Sequence, residues 1–412
     1  MRIAKLNDIG ELKTGPFGTQ FSASEYVSEG IPVINVKNIG YGSIIETGLD
    51  HVSKNTLGRL SEHKLKEGDI VFGRKGSVDR HCLIRREQNG WMQGSDCIRV
   101  RLTDTSVYPE FVSYYLLTDA VKMKINNSAV GSTMASLNTD ILGDIDIILP
   151  DYAEQKSIAL TLGIIDKKIK NNNRINDYLE EMAKTIYDYW FVQFEFPDEN
   201  GNPYKSTGGK MSRTKDFGLA PCGWKFGNLY DIAEFINGLA CQKYRPMEDE
   251  ASLPVIKIKE MHDGISSDTE RVKATIPEKN IVNTGDILFS WSASLEVQHW
   301  AGTTGGLNQH IFKVIPKKGY SSSYVYHQLQ AYVIKFIQMA DARKTTMGHI
   351  TSDHLRQSII VLPPENIVRN FSQQVDDIHA EINHINIENH RLSQLRDWLL
   401  PMLMNGQATI ED

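Results

Sequence analysis

Ile147-Ile148-Leu149-Pro150 closes one run of short apolar segments, and Ile360-Val361-Leu362-Pro363 closes another 213 residues later. Working back from that pair, Thr133-Met134 meets Thr346-Met347 at the same offset, and Phe111 meets Tyr324. Further upstream the offset widens. Gly68-Asp69-Ile70-Val71-Phe72 matches Gly285-Asp286-Ile287-Leu288-Phe289 at 217, the stretch from Ile31 to Lys37 matches that from Leu253 to Lys259 at 222, and Asp8-Ile9 matches Asp231-Ile232 at 223. So many matches in one order mean a tandem duplication. The second copy is about ten residues shorter in its early loops, where length changes are tolerated.

Each copy has two parts. The first, residues 1–150 and 222–363, alternates β-branched segments with turn residues: Pro32 to Val36, Asp69 to Phe72, Ile98 to Leu102 and Ile145 to Leu149, then Pro254 to Ile258 and Ile311 to Ile315. These segments read as strands. Phe111 to Lys124 and Tyr324 to Gln338 read as helices, so this part is mixed α and β. The second part is one long helix. Ile158, Leu162, Ile165, Ile169, Asn172, Asn176 and Leu179 advance by alternating four and three, with Ile186 a heptad later. Their counterparts are Phe371, Val375, Ile378, Ile382, Ile385, Asn389, Leu392 and Leu399. Such a seam in both copies predicts a coiled coil, with Asn176 and Asn389 at the same point to fix register at some loss of stability. Packing of each stripe on its own domain is the plainer alternative.

The 412 residues are 41% hydrophobic and 23% charged, an ordinary globular composition with ample material for a core. A formal charge of −6 excludes a molecule coated in positive charge but allows a local basic patch. Cys82, Cys97, Cys222 and Cys241 contain no C-x-x-C pair, so reduced thiols are expected rather than a disulfide framework or a thiolate zinc site. The first residues lack the apolar run of a signal peptide, and no stretch approaches the roughly 18–20 apolar residues that cross a bilayer. A cytoplasmic location is expected.

Pro150-Asp151-Tyr152-Ala153-Glu154-Gln155-Lys156 has the outline of a nuclease PD…ExK motif, but its acids are too close to leave room for a hairpin. Asp151 and Glu154 before a periodic apolar run have the spacing of a capping box instead. Gly208-Gly209-Lys210-Met211 lacks the further residues of a phosphate loop, and G-x-G-x-x-G is absent. His379, His384 and His390 do not share a helix face, so no metal is expected there. No set combines a nucleophile, a base and oxyanion donors. The chain reads as binding rather than catalysing.

Positive charge is local. Between Lys64 and Arg101 nine cations accompany five carboxylates, a net +4, and between Lys313 and His349 six accompany Asp341 alone, a net +5. Lys and Arg neutralise phosphates, and Arg, Lys, Gln and Asn can read base edges. The candidate DNA contacts are Lys37, Arg74, Lys75 and Arg80 in the first copy, and Lys259, Gln309, Lys317, Arg343 and Lys344 in the second. Solvated charged faces are the plain alternative; the duplication favours contact.

Along essentially its whole length the chain resembles the specificity subunit of type I restriction–modification enzymes. The resemblance rests on Pro150, Glu154, Gln155 and Ile158 at the opening of the first helix, and on the Gly-Asp-hydrophobic motif of each copy. It rests also on Gly131-Ser132-Thr133-Met134 before Leu137-Asn138, and on Tyr189-Trp190-Phe191-Val192-Gln193-Phe194 leading into Gly208-Gly209-Lys210-Met211. The fold it implies is α+β, a tandem pseudo-repeat of two mixed α/β target-recognition domains joined by two long helices in an antiparallel coiled coil. Its parts would be domain one at 1–150, helix one at 151–192, a linker at 193–221, domain two at 222–363, helix two at 364–405 and a tail at 406–412.

The resemblance also implies double-stranded DNA as ligand, each domain reading half of a split site. Two modification (M) subunits would bind S-adenosylmethionine and methylate adenine. Restriction (R) subunits would use ATP and Mg2+, leaving this chain without a cofactor and without catalysis of its own. Two non-identical readers predict an asymmetric site with an unread gap, and helix one would span about 60 Å. Tyr189, Trp190 and Phe191, and more weakly Trp398, are either core or a docking face for M subunits. The second copy departs from the pattern: Ile367-Val368 replaces Glu154-Gln155, and Lys344 replaces Gly131. A coiled-coil protein-interaction scaffold with two β-rich binding modules is the second reading. A nuclease or methyltransferase in its own right is the third.

Overall fold

The computed structural model describes residues 1–129, 135–214, 218–266, 268–292, 295–342, 350 and 352–410. It divides into two compact units, Met1–Lys168 with Ser393–Asp412, and Ile169–Leu392.

In the first unit a five-stranded sheet has the order Gly10–Thr14, Cys97–Leu102, Ile70–Gly73, His81–Leu83, Tyr41–Gly42. A four-stranded sheet has the order Tyr26–Val27, Asp50–Val52, Ile31–Ile34, Met92–Gln93. Ile70–Gly73 is buried on both faces, which is why its sequence is a continuous apolar run rather than an alternating one. Phe111, Val112 and Leu116 of the helix Pro109–Leu116 join Ile70, Phe72, Ile98 and Val100 in one core.

The second unit repeats this plan with differences at the sheet edges. Ala233–Asn237, Ile311–Pro316, Ile287–Ser290 and Glu296–His299 form one sheet, and Arg271–Lys273, Ser252–Ile256, Gly305–Leu307 and Ile281–Val282 form the other. Each domain also joins its first strand to its last: Arg2–Lys5 pairs antiparallel with Asp146–Leu149, and Lys225–Gly227 with Ile360–Leu362.

The first long helix runs Tyr152–Tyr187 and continues as a π-helical segment, Asp188–Val192; the second runs Glu365–Met404 through Pro401. Asp151 Oδ1 accepts from the Glu154 N–H at 2.9 Å, so the nuclease-like string is a helix cap. The buried Gln155 fastens the helix to its domain: Oε1 accepts from Tyr108 N at 2.9 Å, and Nε2 donates to the carbonyls of Ser106 and Pro150 at 3.2 and 2.9 Å. Its counterpart Val368 is buried in the apolar core, so packing replaces those hydrogen bonds.

In the first unit Ile158 and Leu162 share a core with Leu400, Leu403 and Met404, and Asp166 accepts from Tyr114 Oη at 2.6 Å and pairs with Arg396 at 3.1 Å. In the second unit the helices meet through asparagines. Buried Asn172 donates from Nδ2 to Asn389 Oδ1 at 2.8 Å and Glu388 Oε2 at 2.6 Å, and Asn176 donates to Asn386 Oδ1 at 2.6 Å. Numbers rise on one helix as they fall on the other, so this pairing is antiparallel. Asn176 and Asn389 therefore do not face each other; each meets an asparagine displaced along the partner helix.

Within 193–221, expected to be a linker, several described residues are in contact with the second domain. Phe194 and Phe196 are buried against Trp224, and Met211–Thr214 pairs antiparallel with Gly218–Pro221.

Three histidines meet inside the second unit. His327 Nε2 lies 3.0 Å from His379 Nε2, and the His299 ring lies 5.1 Å from that of His379 and 4.5 Å from that of Tyr326. Burial holds both His327 and His379 down at about 3. Unfolded, these rings take up a proton near pH 6.5, whereas in the folded chain they resist it until far lower pH. Stability therefore falls as pH drops below 6.5, by about 2 kcal/mol per ring at pH 5. Urea midpoints measured from pH 7.5 to 5 should fall accordingly, and less steeply in His327→Gln/His379→Gln. Parallel curves for the two proteins would contradict this.

Candidate nucleic-acid interface

The strand Ile70–Gly73 ends at a junction of three backbone segments. The Arg74 N–H donates to the Asp96 carbonyl at 2.8 Å, and the Arg74 carbonyl accepts from Leu137 N at 2.8 Å. In the second unit, Ile287–Ser290 ends the same way. The Trp291 N–H donates to the His310 carbonyl at 3.2 Å, and the Trp291 carbonyl accepts from Ile350 N at 3.1 Å.

Around the first junction the structure gathers charge from separate segments. Lys75 Nζ is 3.1 Å from Asp96, and the Arg80 guanidinium and Lys122 Nζ lie 5.2 and 5.3 Å from the ring centroid of half-exposed Tyr41. Among the described residues no carboxylate pairs with Arg74 or Arg80, and the Nε of each is enclosed without a hydrogen-bond partner. Tyr41 and Lys122 join this group only through tertiary contact, which sequence spacing does not show.

The other candidates lie apart. Lys37 pairs with Asp50 at 2.8 Å, and this cation holds the Asp50 carboxyl below the usual range. Lys259 is exposed on the short helix Ile258–Asp263. Gln309 is half-buried, its Nε2 3.3 Å from His310 Nε2. Lys317 Nζ donates to the Tyr230 carbonyl. Arg343 and Lys344 lie outside the described residues.

Several cations counted in the two basic clusters serve the frame. Arg99 is 1% exposed, donates to the Glu62 carbonyl at 2.8 Å and approaches Glu11 at 3.4 Å. Arg101 holds buried Asp69 through two bonds, Nε to Oδ1 at 2.7 Å and Nη2 to Oδ2 at 2.6 Å. In the second copy Lys313 pairs with Asp286 at 2.8 Å. Each aspartate also caps the turn before its strand, accepting from Lys66 N or Asn283 N at 2.7 Å, and the preceding Gly68 and Gly285 have φ of 88° and 91°. The Gly-Asp motif is thus a structural turn, with glycine supplying the left-handed conformation.

The docking candidates divide. Trp190 and Phe191 are core residues, packed against Phe371, with Phe191 also against Tyr324; Tyr187, Trp190 and Phe191 have the three-and-four spacing of one helix face. Tyr189 and Trp398 are exposed, at 39% and 60%. Ile175, Tyr178, Met182 and Val192 are exposed as well and extend an apolar stripe from Tyr189. Its three-and-four spacing is present in the sequence, masked by the stronger seam. Among the described residues no helix is long and apolar enough to cross a membrane.

Residues 1–181 and 221–396 match the family described as the type I restriction modification DNA specificity domain. The specificity subunit of type I restriction enzyme MjaIX from Methanocaldococcus jannaschii is 23% identical, covering 100% of this chain and 94% of its own. That of HindI from Haemophilus influenzae is 22% identical over 90% and 94%, and that of EcoKI from Escherichia coli 23% over 99% and 89%. Among solved structures, the S subunit of a type I restriction–modification system from M. genitalium shares the fold at a TM-score of 0.56 and 14% identity, covering 98% of this chain and 95% of that one. The duplicated domains, the paired helices and these matches together place the chain in the type I restriction–modification DNA specificity family, as a non-catalytic subunit that supplies DNA sequence specificity.

Proposed function

We propose that this chain reads an asymmetric, bipartite site in double-stranded DNA, one half per recognition domain, and docks two modification subunits together with restriction subunits. One observation carries the reading: Gly10–Thr14, Cys97–Leu102, Ile70–Gly73 and His81–Leu83 lie in the same order as Ala233–Asn237, Ile311–Pro316, Ile287–Ser290 and Glu296–His299, yet the equivalent strand ends carry different side chains. A shared frame with unlike tips suits two half-sites of unlike sequence, placed by phosphate contacts and specified by base contacts. S-adenosylmethionine, ATP and Mg2+ then belong to the partner subunits, and the complex works in the cytoplasm. The exposed stripe from Ile175 to Val192 is the apolar surface best suited to a modification subunit, since such patches mark protein contacts.

The test is co-expression with a modification subunit and mapping of methylated adenines. A single split sequence with a constant gap is expected, and DNA affinity should fall steeply with salt. A stable complex that methylates without sequence selectivity would refute the reading. Salt-insensitive binding would favour the interaction scaffold.

A further inference from the structure

We infer that each strand-end junction specifies its half-site, and that the two read different base chemistry: Arg74 selects a guanine in one half, and Gln309 an adenine in the other. This rests on the bipartite reading proposed above.

The equivalence of the junctions follows from backbone bonds alone. Arg74 and Trp291 make the same pair of bonds, to Asp96 and Leu137 in one unit and to His310 and Ile350 in the other. The Gly94 N–H donates to the Ile34 carbonyl at 2.9 Å, and the Asn308 N–H donates to the Ile256 carbonyl at 3.1 Å. Ser95 therefore corresponds to Gln309, and Asp96 to His310. The strands entering the junctions are alike, with Phe72 and Phe289 both buried. The residues at these strand ends differ: Arg74, Ser95 and Asp96 in one unit, Trp291, Gln309 and His310 in the other.

At the first junction the Arg74 stem is partly enclosed, and among the described residues its guanidinium meets no carboxylate. A fork restrained at its base and not neutralised is prepared for two acceptors side by side, as O6 and N7 of guanine present in the major groove. Asp96, half-exposed and paired with Lys75 at 3.1 Å, keeps a second carboxylate oxygen that can accept from the amino group of cytosine. Among the described residues the second junction shows no such charge pair. Gln309 offers a donor and an acceptor together, the complement of adenine N6 and N7, with the His310 and Trp291 rings alongside.

The methylation-competent complex provides the test, with adenine methylation mapped for wild type, Arg74→Lys and Gln309→Leu. Lysine keeps the charge and loses the fork. Arg74→Lys should relax one guanine position roughly tenfold or more while leaving the other half-site intact. Gln309→Leu should relax one adenine position in the opposite half. If wild type shows no bipartite sequence, the underlying reading fails. If wild type does and both variants keep every position, or either relaxes both halves, the assignment of the junctions is wrong. Should Arg74→Lys fail to fold, Arg74→Met keeps the stem and must relax the same guanine; a folded variant that binds no duplex also overturns the inference.

Discussion

Replacing Trp190 with alanine is expected to cost about 3–5 kcal/mol of stability. The indole is 4% exposed and packs 5.9 Å from Phe371, centroid to centroid, while neighbouring Phe191 contacts Tyr324 at 4.9 Å and Phe371 at 5.1 Å. Truncation leaves a cavity among large rings that cannot collapse into it, which is why aromatic deletions rank among the most damaging. Denaturant unfolding of the full chain measures the loss. Tyr189→Ala, one residue away on the exposed side, should change stability by no more than about 0.5 kcal/mol. Modification-subunit binding should weaken in Trp190→Ala only as far as the protein unfolds. An unchanged unfolding midpoint for Trp190→Ala would return the indole to the docking surface.

Arg101→Ala should be nearly as damaging, at about 3 kcal/mol, because it leaves the buried Asp69 carboxylate without its cation. The remaining bond from Lys66 N, 2.7 Å long, cannot replace two charge-assisted ones. Removing both partners in Asp69→Ala/Arg101→Ala should recover part of the loss, since no charge is then stranded. The same variants should leave the salt dependence of DNA binding as it is. Should Arg101→Ala instead retain full stability and flatten that dependence, the guanidinium faces phosphate and the turn does not need it.

These two residues also show what a sequence can and cannot disclose. The duplication, the strands and the helical seam are legible because each is a periodic or repeated local pattern. Arg99 and Arg101 look like part of a basic patch because their partners, Glu11, Glu62 and Asp69, come from distant segments. Counting charge along the chain cannot tell a neutralised guanidinium from one that faces solvent. Arg74 and Arg80 lack such partners among the described residues, and only the folded chain sets Arg80 over Tyr41. Trp190 and Phe191 were separable in principle, since their spacing from Tyr187 puts all three on one helix face. The Asn176 pairing was not: which asparagine it meets depends on how two antiparallel helices are staggered, and neither helix alone encodes that.

The pairing of first and last strands has a consequence for how such a protein can change. With Arg2–Lys5 bonded along Asp146–Leu149, and Lys225–Gly227 along Ile360–Leu362, each domain leaves its frame through two neighbouring ends. Whatever happens in the loops, the attachment stays the same. An entire domain can therefore be exchanged as a cassette, cut at those strands and grafted from another chain. If each domain reads its own half-site as proposed, such an exchange changes one half of the recognised sequence and leaves the helices as they were.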